Sequence, residues 1–269
     1  MPELSVLLHI ALAGLAPIAV LALLTWVASL VRHDVSLVDR MWSLMIAAPM
    51  AVYAFQAPGS ASRAIAVVAL VGAWGARLAA YITWRNWGHG EDRRYQEIRK
   101  RNEPNFAFKS LYLVFAVQMV LAWIVSAPTL AALVGDHPIG AFDALGIAVA
   151  LVGFLFEAVG DAQMATFKGD PANKGQVMDR GLWRFTRHPN YFGEALFWWG
   201  IWGLALGAGG LAAAWTVLSP LLMTLLLLKV SGVALLEKDI GERRPAYRDY
   251  IARTNAFIPG PPRRRKDTP

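Results

Sequence analysis

Seven apolar runs, separated by loops that hold nearly all the charge, constrain this chain more than any other feature. A membrane-crossing helix needs about 20 mostly apolar residues. Runs that approach this length cover 6–31, 41–56, 63–84, 110–134, 141–163, 191–208 and 211–236. The sequence therefore predicts an all-α fold, a polytopic transmembrane bundle of about seven spanning helices. The second run is short. The last two are separated only by the Gly-Ala-Gly-Gly stretch 207–210, which predicts a tight helical hairpin. The first run lacks a basic flank and a small-residue cleavage site, so it reads as a retained span and not a signal peptide.

Charge placement supports the same reading. Only 17% of the 269 residues are charged and 56% are apolar, too few charges for an ordinary soluble domain. Of 26 Lys and Arg residues, 23 fall in 32–40, 85–109, 164–190 and 237–269, segments that alternate along a seven-span path and so share one side. The positive-inside rule makes that side the cytoplasm, with the N-terminus outside and the C-terminus cytoplasmic. The net charge of +7, which in a soluble protein would suggest nucleic acid, is here a topology signal, and no nucleic-acid partner is expected. The chain reads as one membrane domain over 1–269 that ends in a basic, disordered tail at 261–269. Charged interfacial helices are expected at 91–101 and 237–253, with breaks at Pro104, Pro171, Pro189 and Pro259. The sequence carries no signal for an oligomeric state.

Several chemistries are excluded or disfavoured. With no cysteine there is no disulfide, thiol nucleophile or Cys-ligated metal. His9, His33, His89, His137 and His188 show no ligand spacing, so no metal site is expected. Neither a Walker loop nor a Gly-x-Gly-x-x-Gly turn is present, so any nucleotide must be held without a Rossmann arrangement.

Polar residues inside spans are costly and mark candidate sites. Arg77 and Tyr81 lie one helical turn apart and share a face with Trp74 and Arg85. The same spacing relates Glu157 to Asp161 and Asn190 to Glu194. All three pairs fall near cytoplasmic span ends, where they can converge on one cavity. Pro189 suits the first turn of a helix, whose N-terminal N–H groups favour an anion such as phosphate. Lys168, Lys174, Arg180, Arg184 and Arg187 crowd the preceding loop. A multiply charged soluble ligand is the natural fit. Asp39 and Trp42 place an acid and an indole at the entrance to the second span, and Trp198-Trp199 lie beside Glu194.

The run from Arg180 to Glu194, containing Arg187-His188-Pro189-Asn190-Tyr191, resembles the signature of the DUF1295 family in the steroid 5-alpha-reductase-like superfamily. The ending from Leu236-Glu237 to Pro259 resembles that family's closing segment. The stretch Ser36–Trp42, with Arg77, Arg85 and Asp92-Arg93-Arg94-Tyr95, resembles its N-terminal half. The resemblance implies a seven-helix membrane enzyme of the bacterial inner membrane. NADPH would be held by 110–260, and an apolar substrate would enter from the bilayer on the side of 1–109. Asn190 and Glu194 match an Asn-x-x-x-Glu cofactor pattern, Asp161 matches an acidic position, and Lys168 matches a basic one. Arg187 and His188 belong to the DUF1295 run more than to the steroid enzymes, and their chemistry alone suits them as cationic or hydrogen-bonding partners of a pyrophosphate or 2′-phosphate. Lys174, Arg180, Tyr191 and Glu237 complete the implied cofactor set. Tyr81 looks like the tyrosine that polarises a substrate carbonyl. The steroid enzymes' Gln-Glu pair in the second helix is missing, which leaves Asp39, Trp42, Tyr53 and Gln56 as candidates there and speaks against a steroid.

The same Arg-His-Pro-x-Tyr run, followed by the late acid Glu237, also resembles the S-adenosylmethionine site of isoprenylcysteine and phospholipid methyltransferases, the rival reading. A non-enzymatic lipid carrier would need a through-path or inverted repeats, which the sequence does not show.

Overall fold

A computed structural model describes residues 1–56, 59–230, 232–237 and 240–263; at 235 and 243 only the backbone is described. All regular structure among them is helical. Five helices are long and apolar enough to cross a membrane: α1 (Leu4–Arg32), α4 (Ala61–Arg85), α6 (Phe106–Val134), α7 (Ala141–Gly169) and α8 (Pro189–Val230). Between α1 and α4 lie α2 (Leu37–Ala47) and α3 (Pro49–Gln56). The short helix α5 (Arg93–Asn102) precedes α6, and α9 (Val233–Glu237), α10 (Ile240–Arg243) and α11 (Ala246–Arg253) follow α8. The chain is an integral membrane protein.

Seven spans are expected from hydropathy and five stand out by length, for two local reasons. The run at 41–56 is divided at Pro49, leaving helices of 11 and 8 residues. The last two runs fall within one 42-residue helical stretch, α8. That stretch is not straight. Its first helical part ends at Gly209, Gly210 adopts a φ of 55°, and a 3₁₀ segment occupies Gly210–Val217. His137 N donates to Ala208 O (3.1 Å) and Ser219 Oγ donates to Val125 O (2.6 Å). Moving forward from 208 to 219 thus moves backward along the neighbouring chain from 137 to 125, so this part of α8 runs antiparallel to the end of α6. Most of the tail assigned to 261–269 lies outside the described residues.

Two compact units emerge: Met1–Ala144 with Trp202–Ser219, and Leu145–Ile201 with Pro220–Pro269. In the first, α2 packs on α4 where small residues meet. Ser43 Oγ donates to Gly75 O (2.8 Å), and Ala47 sits against the same glycine. Buried Ile18, Val38, Met45, Val71 and Trp74 fill the core, while Leu8, Leu12, Leu24 and Val31 of α1 point outward, as lipid-facing residues should. The indoles of Trp26 and Trp123 donate to Ala107 O and Ala11 O, tying α1 to α6. At the starts of α4 and α7, Arg63 donates through Nε and Nη2 to both oxygens of Asp143 (2.6 and 3.2 Å). Both side chains are almost completely buried.

The second unit is built on an antiparallel pairing of α7 with the first part of α8. Gly146, Gly153 and Gly160 recur every seven residues on one helix, and Gly193 and Gly200 on the other. A Cβ on Gly193 would lie 2.4 Å from Glu157 N, one on Gly153 2.4 Å from Phe197 N, and one on Gly200 2.3 Å from Ala150 N. Only hydrogen fits at these crossings. In a membrane, where there is no hydrophobic force between helices, such close backbone approach supplies the van der Waals attraction that holds them.

Candidate functional site

The glycine register decides which polar residues of the second unit meet. Because Gly193 abuts Glu157 and Gly160 abuts Asn190, the two one-turn pairs are brought onto the same crossing. Asn190 Nδ2 donates to Asp161 Oδ1 (3.1 Å), while Asn190 Oδ1 is buried and accepts no hydrogen bond among the described residues. Glu157, Asp161 and Glu194 are all buried. The helix start falls at Pro189, as the sequence predicts, and Phe192 N bonds back to His188 O.

Beside this lies a second cluster that the sequence does not pair. Arg187 grips Glu237 with Nε and Nη2, both at 2.7 Å, and its Nη1 donates to the carbonyls of Thr254 and Ile251. His188 Nε2 lies 2.9 Å from Glu237 Oε1, and its ring stacks on Tyr191 with centroids 5.3 Å apart. Burial alone would raise the Glu237 carboxyl, but hydrogen bonds from Arg187 and His188 outweigh it and hold it at about 2. Burial would likewise lower Arg187, and Glu237 reverses that. Burial, reinforced by the Glu237 charge, pushes Tyr247 up to about 12.

The closing segment straps this loop in place. Tyr250 donates to Trp183 O, Thr186 Oγ1 to Phe257 O (2.7 Å), Arg187 N to Asn255 O (2.9 Å), and the Trp183 indole to Gly160 O (3.0 Å). Arg187 is therefore a strut whose donors are committed to the protein, in contrast to the phosphate partner expected from the sequence. Lys168, Lys174, Arg180 and Arg184 are exposed on the same loop region.

The remaining candidates belong to the first unit. Asp39 accepts from Arg94 Nη2 (2.7 Å) and Tyr95 OH (2.6 Å), and Gln118 Nε2 of α6 donates to the same phenol (3.2 Å). Trp42 is half-buried on α2. Tyr81 is half-buried on α4, its ring 6.0 Å from Trp84, with the Arg85 guanidinium 5.7 Å from its centroid. Burial pushes the Tyr95 phenol up, and the Asp39 charge adds to it. Sequence reading does not find Arg94 and Tyr95 as partners of Asp39, Gln118 as partner of Tyr95, nor Arg63 as partner of Asp143. Opposite charges at two span starts were the available signal for the latter. Among the described residues no group of three His, Asp or Glu side chains could hold a metal ion.

A helical integral membrane protein with a buried acid and amide cluster beside a strapped Arg-His-Glu triangle is the class these features define. The chain belongs to the DUF1295 family, described as a protein of unknown function, whose model matches residues 25–254. This is a steroid 5-alpha-reductase-like family. An uncharacterized protein of Schizosaccharomyces pombe, C594.04c, is 26% identical over 276 residues, covering 91% of this chain and 78% of that protein. A probable O-methyltransferase of Ustilaginoidea virens, ustE, is 39% identical over 70 residues, covering 25% of this chain and 23% of that protein. No solved structure matches the chain.

Proposed function

We propose that this protein is an NADPH-dependent reductase that delivers hydride to an activated C=C bond of an apolar, membrane-dissolved substrate. In this reading it resides in a bacterial cytoplasmic membrane, with its basic loops on the cytoplasmic side. The observation that carries the reading is the hydrogen bond of half-buried Asn190 to buried Asp161, with buried Glu194 one turn on, at the start of α8. This acceptor-rich set, with Asn190 Oδ1 still open, suits the carboxamide and ribose hydroxyl donors of a nicotinamide nucleotide. Lys168, Lys174, Arg180 and Arg184 offer the cations its phosphates need. NADPH would supply the hydride. The chain's own part is to orient and to move protons. Arg187, His188 and Glu237 hold the loop and the helix start in register, and Tyr191 braces His188. Tyr81 donates the proton that completes the reduction, and Asp39 and Trp42 serve the substrate side.

A second reading, an S-adenosylmethionine-dependent methyltransferase, draws on the local similarity to ustE and on one chemical point. Three buried carboxylates, beside an arginine already neutralised by Glu237, suit a sulfonium cation better than a polyphosphate.

A thermal-shift titration of the detergent-purified protein with NADPH, NADH and S-adenosylmethionine separates the two. A ligand at 100 times its Kd adds about 2.7 kcal/mol to a state that alone binds it. NADPH should stabilise the wild type and lose its effect in Glu194→Ala, while Tyr81→Phe keeps the stabilisation and loses turnover. Stabilisation by S-adenosylmethionine alone would replace the reductase reading with the methyltransferase one.

A further inference from the structure

We infer that the first unit carries a site for an anionic membrane phospholipid, in a surface groove between α2 and α4. The groove is open, about 600 Å³ in volume, within the roughly 300–1,000 Å³ typical of small-molecule sites. It is lined by Ala76 and Ala80 of α4, one turn apart, and by Met41 of α2. From Ala76 to Trp84 it follows α4 for about 12 Å, most of the ~15 Å that one leaflet's acyl chains occupy. Trp84 and Trp87 line its other end and are 64% and 72% exposed, as indoles at the headgroup boundary are.

Charge at that end selects the headgroup. Arg40 lines the groove, and its guanidinium is incompletely satisfied by the protein. Its Nε is buried with no acceptor among the described residues, its Nη2 makes a long bond to Asn86 O (3.3 Å), and Asp34 lies at 3.6 Å. The other Asp34 oxygen already accepts from the Ser36 N–H and hydroxyl. A phosphodiester accepts from the part of the Arg40 guanidinium that remains accessible, where its protein partners are long or distant, and its acyl chain covers apolar surface that water would otherwise meet. A zwitterionic phospholipid presents the same phosphodiester but brings its own ammonium beside Arg40, and a lipid without phosphate gains only the second term. This site is independent of the cofactor reading, because Arg40, Ala76, Ala80, Trp84 and Trp87 have no part in it.

The test uses the full chain in detergent, titrated with dioleoyl phosphatidylglycerol or dioleoyl phosphatidylcholine and read by native mass spectrometry. Wild type should retain phosphatidylglycerol with a preference of roughly tenfold, about 1.4 kcal/mol, because the choline ammonium of the other lipid is repelled by Arg40. Arg40→Gln should abolish that preference, and Ala80→Trp, which fills the groove from an exposed position, should remove the bound lipid altogether. Equal retention of the two lipids by wild type, or unchanged phosphatidylglycerol binding in Ala80→Trp, overturns the proposal. If Arg40→Gln fails to fold, Ala80→Trp and the wild-type comparison decide it.

Discussion

Two arginines of this chain are buried against a carboxylate with the same two-pronged grip, Arg63 on Asp143 and Arg187 on Glu237. Around the first, further partners are backbone groups: the carbonyls of His137 and Pro138 and the N–H of Gly140. Around the second stand, besides the carbonyls of Ile251 and Thr254, His188 and, through Tyr191 stacked on it, the start of α8. The first pair is closed on itself and pins two helix ends. The second is shared with side chains that border the Asp161–Asn190 cluster. Burial and geometry alone do not separate a structural ion pair from one built into a site; the third partner does.

The sharpest way to break this comparison is Arg63→Ala, which strands Asp143 in the interior and should cost about 3–5 kcal/mol in chemical unfolding. An Arg63→Met, Asp143→Leu double variant should recover most of it. Full recovery without loss of lipid or cofactor binding would establish the pair as purely structural. Glu237→Gln is the counterpart. The wild-type carboxyl is lowered from 4.5 to about 2, so its contribution is complete above pH 4.5 and fades as pH falls towards 2. That shift corresponds to roughly 3 kcal/mol at neutral pH. The variant should lose that amount and show a flatter acid limb, and an unchanged limb would remove Glu237 as its source.

Smaller effects test the helix crossings. Gly193→Ala drives a methyl into the Glu157 backbone at 2.4 Å and should cost about 1–3 kcal/mol, displacing Asn190 as well. Gly75→Ala meets Ser43 O at 3.2 Å and Ala47 Cβ at 3.3 Å, which need yield only slightly, and should cost less than about 1 kcal/mol. The reverse order of melting temperatures would show that the α7–α8 crossing is the looser of the two.

Hydropathy located α1, α4, α6 and α7 to within a few residues at most ends, because a span must be long and apolar whatever surrounds it. It could not foresee that Pro49 splits the second run, since a proline's effect depends on what packs beside it. Asp161, Asn190 and Glu194 were legible as costly polar residues at helical spacing. Their mutual approach was not, because it depends on the glycine register between two helices. The seven-residue recurrence of Gly146, Gly153 and Gly160 is the one sequence signal of that register. The partner of Arg187 was illegible because Glu237 is 50 residues away, beyond the whole of α8.

The glycine register also sets where this chain can tolerate insertions and deletions. One residue added between Gly193 and Gly200 would turn everything before it by about 100° relative to α7. Asn190 would then face away from Asp161, and a side chain would meet the Glu157 backbone in place of Gly193. The exposed loop at 170–180 carries no such helical phase, so related chains should tolerate a change of length there better than within 146–160 or 190–200.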